Sequence, residues 1–209
     1  MTVSPGRVLA MFPLASTMFP GQIVPLHVFE DRYRTMMQEI TADGAEETFG
    51  IVLIDRGHEV GGGDHRLSVA TRVEVVESSE FDDGRWAVIA AGIERLDILE
   101  WLEDDPYPRA VVAARSVTDN GGASLDELEE LLRETIRLAA AVEGSREPAQ
   151  FTLSNTPGVR LDQISGLSPL TSFDRQRVLE AATTSEQIEL LNSSLDDKCL
   201  LLRAQLGGT

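Results

Sequence analysis

Residues 12–36 read FPLASTMFPGQIVPLHVFEDRYRTM, and this stretch contains the clearest structural signals in the chain. Its first part continues an apolar segment, Arg7–Leu14, and its middle holds another, Ile23–Phe29. Both read as short strands, and Pro25 places the second at an edge or a bulge because proline cannot donate to a ladder. The pattern then changes to spacings of three and four, which predicts a helix over Glu30–Ile40. The apolar face of this helix is Tyr33, Met36, Met37 and Ile40.

Strand patterns continue through the rest of residues 1–118. An Asp-Gly turn at Asp82–Arg85 predicts a hairpin. The further predicted strands are Phe49–Ile54, a long one beginning with Val69–Val76, Trp86–Ala91, Ile93–Trp101 and Ala110–Ala114. Six or more strands with short turns and one early helix predict a closed or partly closed β barrel.

Beyond a polar joint at Thr118–Gly122 the pattern becomes helical. Ser124 and Thr184 each begin a capping box, with Glu127 and Gln187 three residues later. Two shorter helices fit around Leu161–Ser165 and Phe173–Thr183. The predicted apolar stripes are Leu125, Leu128, Leu132, Ile136, Ala139 and Val142 in the first long helix, and Ile188, Leu191, Leu195, Cys199, Leu202 and Leu206 in the last. We therefore predict an α+β protein, a β domain over 1–118 followed by a helical bundle over 119–209.

Composition excludes several classes of partner. The 209 residues carry 35 acidic and 18 basic side chains, a formal charge of −17. Such a chain is repelled by phosphate backbones and by anionic membrane surfaces, so nucleic acid and membranes are disfavoured as partners. No apolar stretch approaches the roughly 20 residues of a membrane span or forms a signal-peptide core. We predict a soluble cytoplasmic protein.

The scarcity of lysine and cysteine excludes several chemistries. Lys198 is the only lysine, and it lies outside any glycine-rich turn, so neither a P-loop nor a Ser–Lys dyad is expected. Cys199 is the only cysteine, which excludes an internal disulfide and a multi-cysteine zinc site. Its place on an apolar stripe predicts a core residue. No cofactor or metal is expected.

The remaining catalytic candidates also read as structural. Six residues, including the Gly61–Gly63 turn and Asp64, separate His58 from His65, which is not a metal-ligand spacing. A general base needs a nucleophile or substrate within reach, and His27 is more simply interpreted as a structural histidine. Ser165 and Ser168 lie outside a Gly-x-Ser-x-Gly elbow and read as a helix end and a turn. We predict no catalytic residues.

Residues 12–36 also suggest an apolar binding surface, since thioethers and aromatic rings suit adaptable contacts. Met18 and Phe19 fall in a predicted loop and are the better surface candidates, whereas Phe12, Phe29 and Tyr33 are expected in the barrel core. The candidate peptide-binding residues are Met18, Phe19, Tyr33, Met36 and Met37.

The same stretch carries a family likeness. Its signature residues are Phe12, Pro13, Phe19, Pro20, Gly21, Pro25, His27, Phe29, Glu30, Arg32 and Tyr33, and together they resemble the opening of the Lon protease N-terminal domain. Matching segments follow in the family's order: Phe49–Leu53, Gly92-x-x-Arg95-Leu96, Pro106-Tyr107, Leu167–Leu170 and Arg175-Gln176-x-x-Leu179-Glu180. Two departures, Ala70 where glycine is usual and the segment Leu96–Ile98, concern local strand packing.

The resemblance implies a PUA-like pseudo-barrel followed by a helical bundle, in a stand-alone substrate-binding-domain protein without ATPase or protease parts. The signature residues are then expected to be structural. The implied partners are unfolded or partly folded protein segments, with full-length Lon as a further candidate. Two alternatives stay open, an RNA-binding module by analogy with PUA domains and an adaptor acting through the acidic helix residues Asp126, Glu127, Glu129, Glu130 and Glu134. A hydrolase acting alone lacks a catalytic constellation, and the oligomeric state is open.

Overall fold

The computed structural model describes residues 6–56, 65–121, 124–145 and 150–207. Within these ranges the elements are β1 Arg7–Leu14, β2 Ile23–Val28, α1 Asp31–Ile40, β3 Thr48–Arg56, β4 His65–Glu80, β5 Trp86–Trp101, β6 Arg109–Ala114, α2 Leu125–Val142, α3 Pro157–Leu167, α4 Ser172–Glu180 and α5 Thr184–Gly207. The predicted α+β class is confirmed. The chain divides into two compact units, residues 1–115 and 116–209, while the domain boundary at residue 118 stays a prediction. The Gly61–Gly63 turn, His58 and Asp64 lie outside the described residues.

The six strands of the first unit form one sheet that closes almost into a ring. Their order is β2-β5-β4-β3-β1-β6, and β6 pairs back onto β5. The pair β1–β3 is parallel, so the chain between them must cross over, and α1 lies in that crossover. The barrel predicted from the strand pattern is therefore confirmed, with β2 as the one strand that stands outside the ring.

Strand β5 is a single element where the sequence predicts two. Its residues 86–91 pair with β2, and its residues 96–101 pair with β6, while its other edge pairs with β4 over residues 86–97. The predicted break at Gly92 is a β-bulge instead, because Arg72 pairs with Glu94 and Val73 with Gly92, which leaves Ile93 as the extra residue.

Two apolar clusters fill the first unit. One packs the face of α1 against Phe12, Phe49 and neighbouring strand residues. The other, on the opposite face of the strands, contains Leu9, Met11 and Leu96. Strands β1 and β3 are thus buried on both faces, which explains why their sequences are apolar without alternation.

The second unit is a set of four helices whose buried faces differ slightly from the predicted stripes. On α2 the buried residues are Leu128, Leu132, Thr135 and Leu138. The predicted Val142 is 40% exposed. Thr135 replaces an expected apolar residue, because its hydroxyl lies 3.0 Å from the Cys199 Sγ and donates to the Leu131 carbonyl. The core position predicted for Cys199 is confirmed.

Helix α5 is capped one residue earlier than predicted. The Thr183 hydroxyl accepts from the Glu186 N–H at 3.2 Å, and Glu186 accepts from the Ala182 N–H at 2.8 Å. Gln187, predicted to complete the box, is instead buried and donates to the Val178 carbonyl. Burial of Gln187 therefore decides which of two adjacent threonines caps the helix.

A buried phenol connects α1 to the segment before β6. The Tyr107 hydroxyl donates to the Glu39 carboxylate, and Tyr107 is only 6% exposed. Burial first, then the hydrogen bond to Glu39, raises the pKa of Tyr107 from 10.0 to about 12.

This shift predicts a loss of stability at alkaline pH. The folded-state pKa lies above the unfolded one, so the contribution of Tyr107 to the free energy of unfolding is complete below pH 10 and is lost as the pH rises towards 12. The free energy of unfolding, measured by denaturant titration across this pH range, should fall less steeply with pH in Tyr107→Phe than in the wild type. In Glu39→Gln, which keeps an acceptor without the charge, the pKa of Tyr107 should be raised less, so the fall should be smaller in total and should end at a lower pH. Equal pH slopes in all three proteins would contradict the assignment.

Candidate functional site

The structure buries all five predicted peptide-binding residues. Met18 is 6% exposed and Phe19 is fully buried, so the surface position predicted for these two is wrong. The other three lie on the buried face of α1. In this arrangement the five side chains form the core of the first unit instead of a surface.

Met18 and Phe19 are buried because their loop is bonded to two strands. The Thr71 hydroxyl of β4 donates to the Met18 carbonyl at 2.6 Å. The Gly92 N–H of β5 donates to the Gln22 carbonyl at 2.8 Å, and the Gly21 N–H donates to the Gly92 carbonyl at 2.9 Å. The loop therefore continues the hydrogen bonding of the sheet, and its side chains face inward.

Two glycines allow this close approach. Gly21 has φ +79°, a left-handed conformation that side chains rarely adopt. A Cβ on Gly92 would lie 2.4 Å from the Phe19 carbonyl oxygen. The Arg95 guanidinium lies 5.8 Å from the Phe19 ring centroid, within cation–π range. These contacts give the Phe19–Gly21 part of the signature a packing role.

The candidate nucleophiles and bases are engaged in the fold. Ser165 is buried and donates to the Leu161 carbonyl, and Ser168 is buried and donates to the Ser165 carbonyl. His27 lies on the surface between two aromatic rings. In the part of the chain that the structure describes, no three His, Cys, Asp or Glu side chains are grouped to hold a metal.

The outer face of β2 and β5 carries an exposed apolar surface that the sequence reasoning missed. Side chains on this face come from alternate residues of β2 and β5, from the bulge at residue 76 within β4, and from the residues that follow β2 and β4. They are Ile23 (67% exposed), Pro25, His27, Phe29 (50%), Val76 (62%), Phe81 (46%) and Ile89 (37%), and we call them the outer strip.

Strand pairing brings the outer strip together. Pro25 lies opposite Ile89, and the ring centroid of His27 is 6.1 Å from that of Phe29 and 6.4 Å from that of Phe81. Phe29 was expected in the core, and this expectation is wrong because it continues the outward alternation of Ile23, Pro25 and His27. Alternation was a possible signal, but both faces of β2 are apolar, so it does not tell which one meets solvent.

Carboxylates lie along one side of the outer strip. Glu77 pairs with Ile89, and Glu74 pairs with Ala91. Both glutamates are exposed and, because paired residues point to the same face, they lie on the outer face of β4. The site is therefore apolar in its centre and acidic along its β4 side.

A groove lies between β1 and the end of α1, apart from the outer strip. It is an open groove of about 290 Å³ whose lining includes Val8, Glu39, Tyr107 and Arg109. This volume is at the lower limit of ligand pockets, which are about 300–1,000 Å³. Glu39, Glu46 and Arg109 contribute charged groups to the groove, so the outer strip is the better candidate for an apolar protein ligand.

Residues 8–197 match the family model of the ATP-dependent protease La (LON) substrate-binding domain. The chain is 27% identical over 203 residues to the Lon protease of Anaeromyxobacter dehalogenans (strain 2CP-C), covering 94% of this chain and 24% of that protein. It is 23% identical over 204 residues to Lon protease 2 of Myxococcus xanthus, covering 94% of this chain and 24% of the relative. The chain thus spans about a quarter of the length of the curated relatives it matches.

Two solved structures share the fold. The Lon N-terminal domain protein from Xanthomonas campestris has a TM-score of 0.62 at 20% identity, over 90% of this chain and 98% of that one. The N-terminal domain of Mycobacterium avium complex Lon protease has a TM-score of 0.54 at 18% identity, over 91% of this chain and 99% of that one.

The contact at Gly92 predicts a specific loss of stability. In Gly92→Ala the new Cβ must displace the Phe19 carbonyl, which is backbone, so the free energy of unfolding should fall by about 1–3 kcal/mol. Gly158→Ala is the control, because nothing lies within 4 Å of a Cβ there and its helical position favours alanine. Urea denaturation measures both variants. An unchanged midpoint for Gly92→Ala would mean that the loop does not approach β5 this closely in solution.

Proposed function

The chain belongs to the ATP-dependent protease La (LON) substrate-binding domain family, and we propose that it binds extended apolar segments of unfolded proteins on its outer strip. The observation that carries this proposal is the set of large apolar side chains exposed on one sheet face. Contiguous exposed apolar surface of this kind marks interaction sites in soluble proteins. The family description, a domain that binds the substrates of a protease, supplies the class of ligand.

The rigidity of the sheet supports this surface as the site. Ile89 is flanked in β5 by Val88 and Ala90, which are both buried, so the outer side chains stand on a packed layer. A binding face held in this way loses little conformational entropy when a ligand covers it. Binding would then bury apolar surface without any covalent step. We propose that the protein acts as a non-catalytic binding module in the cytoplasm.

The negative charge of the protein favours the binding of segments that also carry lysine or arginine. The formal charge of the chain is −17, and Glu74 and Glu77 border the outer strip. Basic residues next to an apolar segment would meet these carboxylates at the rim, where complementary charge increases the association rate.

The RNA-binding alternative is less well supported. An RNA site needs free cationic side chains along a groove. Arginines on the sheet are instead paired with carboxylates, as in Arg72–Glu94 at 2.7 Å and Arg115–Asp97 at 2.6 Å. This pairing neutralises the charge locally.

The adaptor alternative through the acidic helix also loses support. Glu129 of α2 pairs with Arg133 at 2.6 Å and with Arg160 at 2.5 Å. Hydrogen bonds from Arg133 and then Arg160 hold the pKa of Glu129 below its usual value. Much of the negative charge that would steer a basic partner is therefore already compensated within the second unit.

Substitution of the outer strip should weaken binding without unfolding the protein. In Ile23→Thr with Ile89→Thr, both positions keep a β-branched residue but lose apolar contact of about 0.8 kcal/mol each. The dissociation constant for a short labelled peptide of alternating valine and threonine, with lysine at both ends, should rise roughly tenfold. Fluorescence anisotropy measures the change.

The matched control is Leu200→Gln with Leu201→Gln on α5, since each of these leucines is 64% exposed. This variant removes exposed apolar surface elsewhere and should bind the peptide as the wild type does. If the two double variants lose equal affinity, the outer strip is not the binding site.

The carboxylates of Glu74 and Glu77 beside the outer strip predict a preference for ligands with basic flanking residues. Glu74→Gln with Glu77→Gln should weaken binding of the lysine-flanked peptide severalfold at low salt, and should leave a serine-flanked version of the same peptide unaffected. Titrations of both peptides at low and high salt test this. A similar loss for the serine-flanked peptide would show that the glutamates act on the fold rather than on the ligand.

A further inference from the structure

We propose that β2 holds the bound segment through its main chain, so that the segment adds to the sheet as an extra strand. This inference rests on the proposed function and specifies its ligand as strand-forming segments. It also assigns the open edge of β2, rather than side chains alone, as the capturing element.

Strand β2 is the terminal strand of the sheet order and is paired with β5 alone among the described strands. The burial of its core-facing side chains agrees with this position at the edge of the sheet. Val24 and Leu26 are only partly buried, whereas Val28, at the end that leads into α1, is 1% exposed. One edge of β2 is therefore accessible to a further strand.

The orientation of the backbone follows from one hydrogen bond. The Gly92 N–H of β5 donates to the Gln22 carbonyl, so the Gln22 carbonyl points towards β5. Because orientation alternates along a strand, Val24 and Leu26 also face β5, and the odd-numbered residues face the open edge. The residues at the open edge are Ile23, Pro25 and His27.

Pro25 agrees with this orientation. Proline has no N–H and is tolerated in a sheet where its nitrogen faces solvent. The open edge then offers the N–H groups of Ile23 and His27 and the carbonyls of all three residues. The missing donor at Pro25 limits the pairing to short segments, which is how natural edge strands avoid unlimited association.

The open edge and the outer strip share Ile23, Pro25 and His27. The side chains of Ile23 and Pro25 lie on the outer face, while their backbone groups face the edge. A segment added here would bond to the main chain of β2, its outward side chains would contact Ile23, Pro25 and His27, and its unpaired flanks would continue across the outer strip towards Glu74 and Glu77. Recognition by strand addition combines these two contributions, main-chain bonds for affinity and alternate side chains for specificity.

The principal experiment uses two N-methylated forms of the valine–threonine peptide. In one form every second amide is methylated, and in the other form the remaining amides are methylated. Only one set of amides faces β2 in an added strand, so one form should lose binding by more than tenfold and the other should keep it. Amide exchange at Ile23 and His27 should slow when the unmodified peptide is bound.

A gain-of-binding variant provides the second readout. Pro25→Val restores an N–H at the open edge and keeps an apolar, β-branched side chain on the strip. It should bind the unmodified peptide roughly fivefold more tightly, the effect of one additional hydrogen bond. A helix-forming peptide of similar apolarity should gain nothing.

The outcomes separate this inference from the proposed function. If both methylated forms bind equally, the Ile23 and His27 amides are not protected, and substitutions in the outer strip still weaken binding, strand addition is wrong and the outer strip remains the site. If the unmodified peptide does not bind the wild type at all, both proposals fall. Unchanged affinity in Pro25→Val also counts against strand addition.

Discussion

The first unit depends on the way in which β5 shares one of its edges between two strands. Residues 86–91 pair with β2 and residues 96–101 pair with β6, which closes the ring. Gly92 lies between these two parts, where the Gly21–Gln22 loop crosses onto β5 and makes two backbone hydrogen bonds with it. A side chain at this point would meet the Phe19 carbonyl. The absence of a Cβ thus lets a single strand serve both the ring and β2.

This arrangement determines where apolar surface is left exposed. Inside the ring and under α1 the strands are buried on both faces, so their apolar side chains have packing partners. Strand β2 stands outside the ring and is covered only on its inner face, where Val24 and Leu26 pack against the core cluster. Its outer face has no such layer among the described residues. The outer strip is therefore a consequence of the topology, and a protein ligand would supply the layer that the fold leaves out.

Electrostatics act at two ranges in this protein. The overall charge of −17 disfavours polyanionic partners at long range, although salt screens it beyond about 10 Å. At short range, arginines and carboxylates are paired within each unit, as between Arg160 and Glu129. The glutamates beside the outer strip are the charges that an approaching apolar segment meets. Affinity then depends on apolar burial, and the preference for basic flanking residues depends on these few carboxylates.

The order of the elements, the α+β class and the family could all be predicted from the amino-acid sequence. Strand and helix periods, capping residues and turn glycines act over a few residues and can be read locally, as with Ser124 before α2 and the turn before Trp86. Three features depend on long-range packing instead: which face of β2 meets solvent, the burial of Phe19 and the exposure of Phe29. The long-range packing also places the cap of α5 at Thr183, one residue before the predicted cap. The physical reason is that burial depends on contacts between residues far apart in the chain, and an apolar residue has the same local signature in a core and on an exposed sheet face.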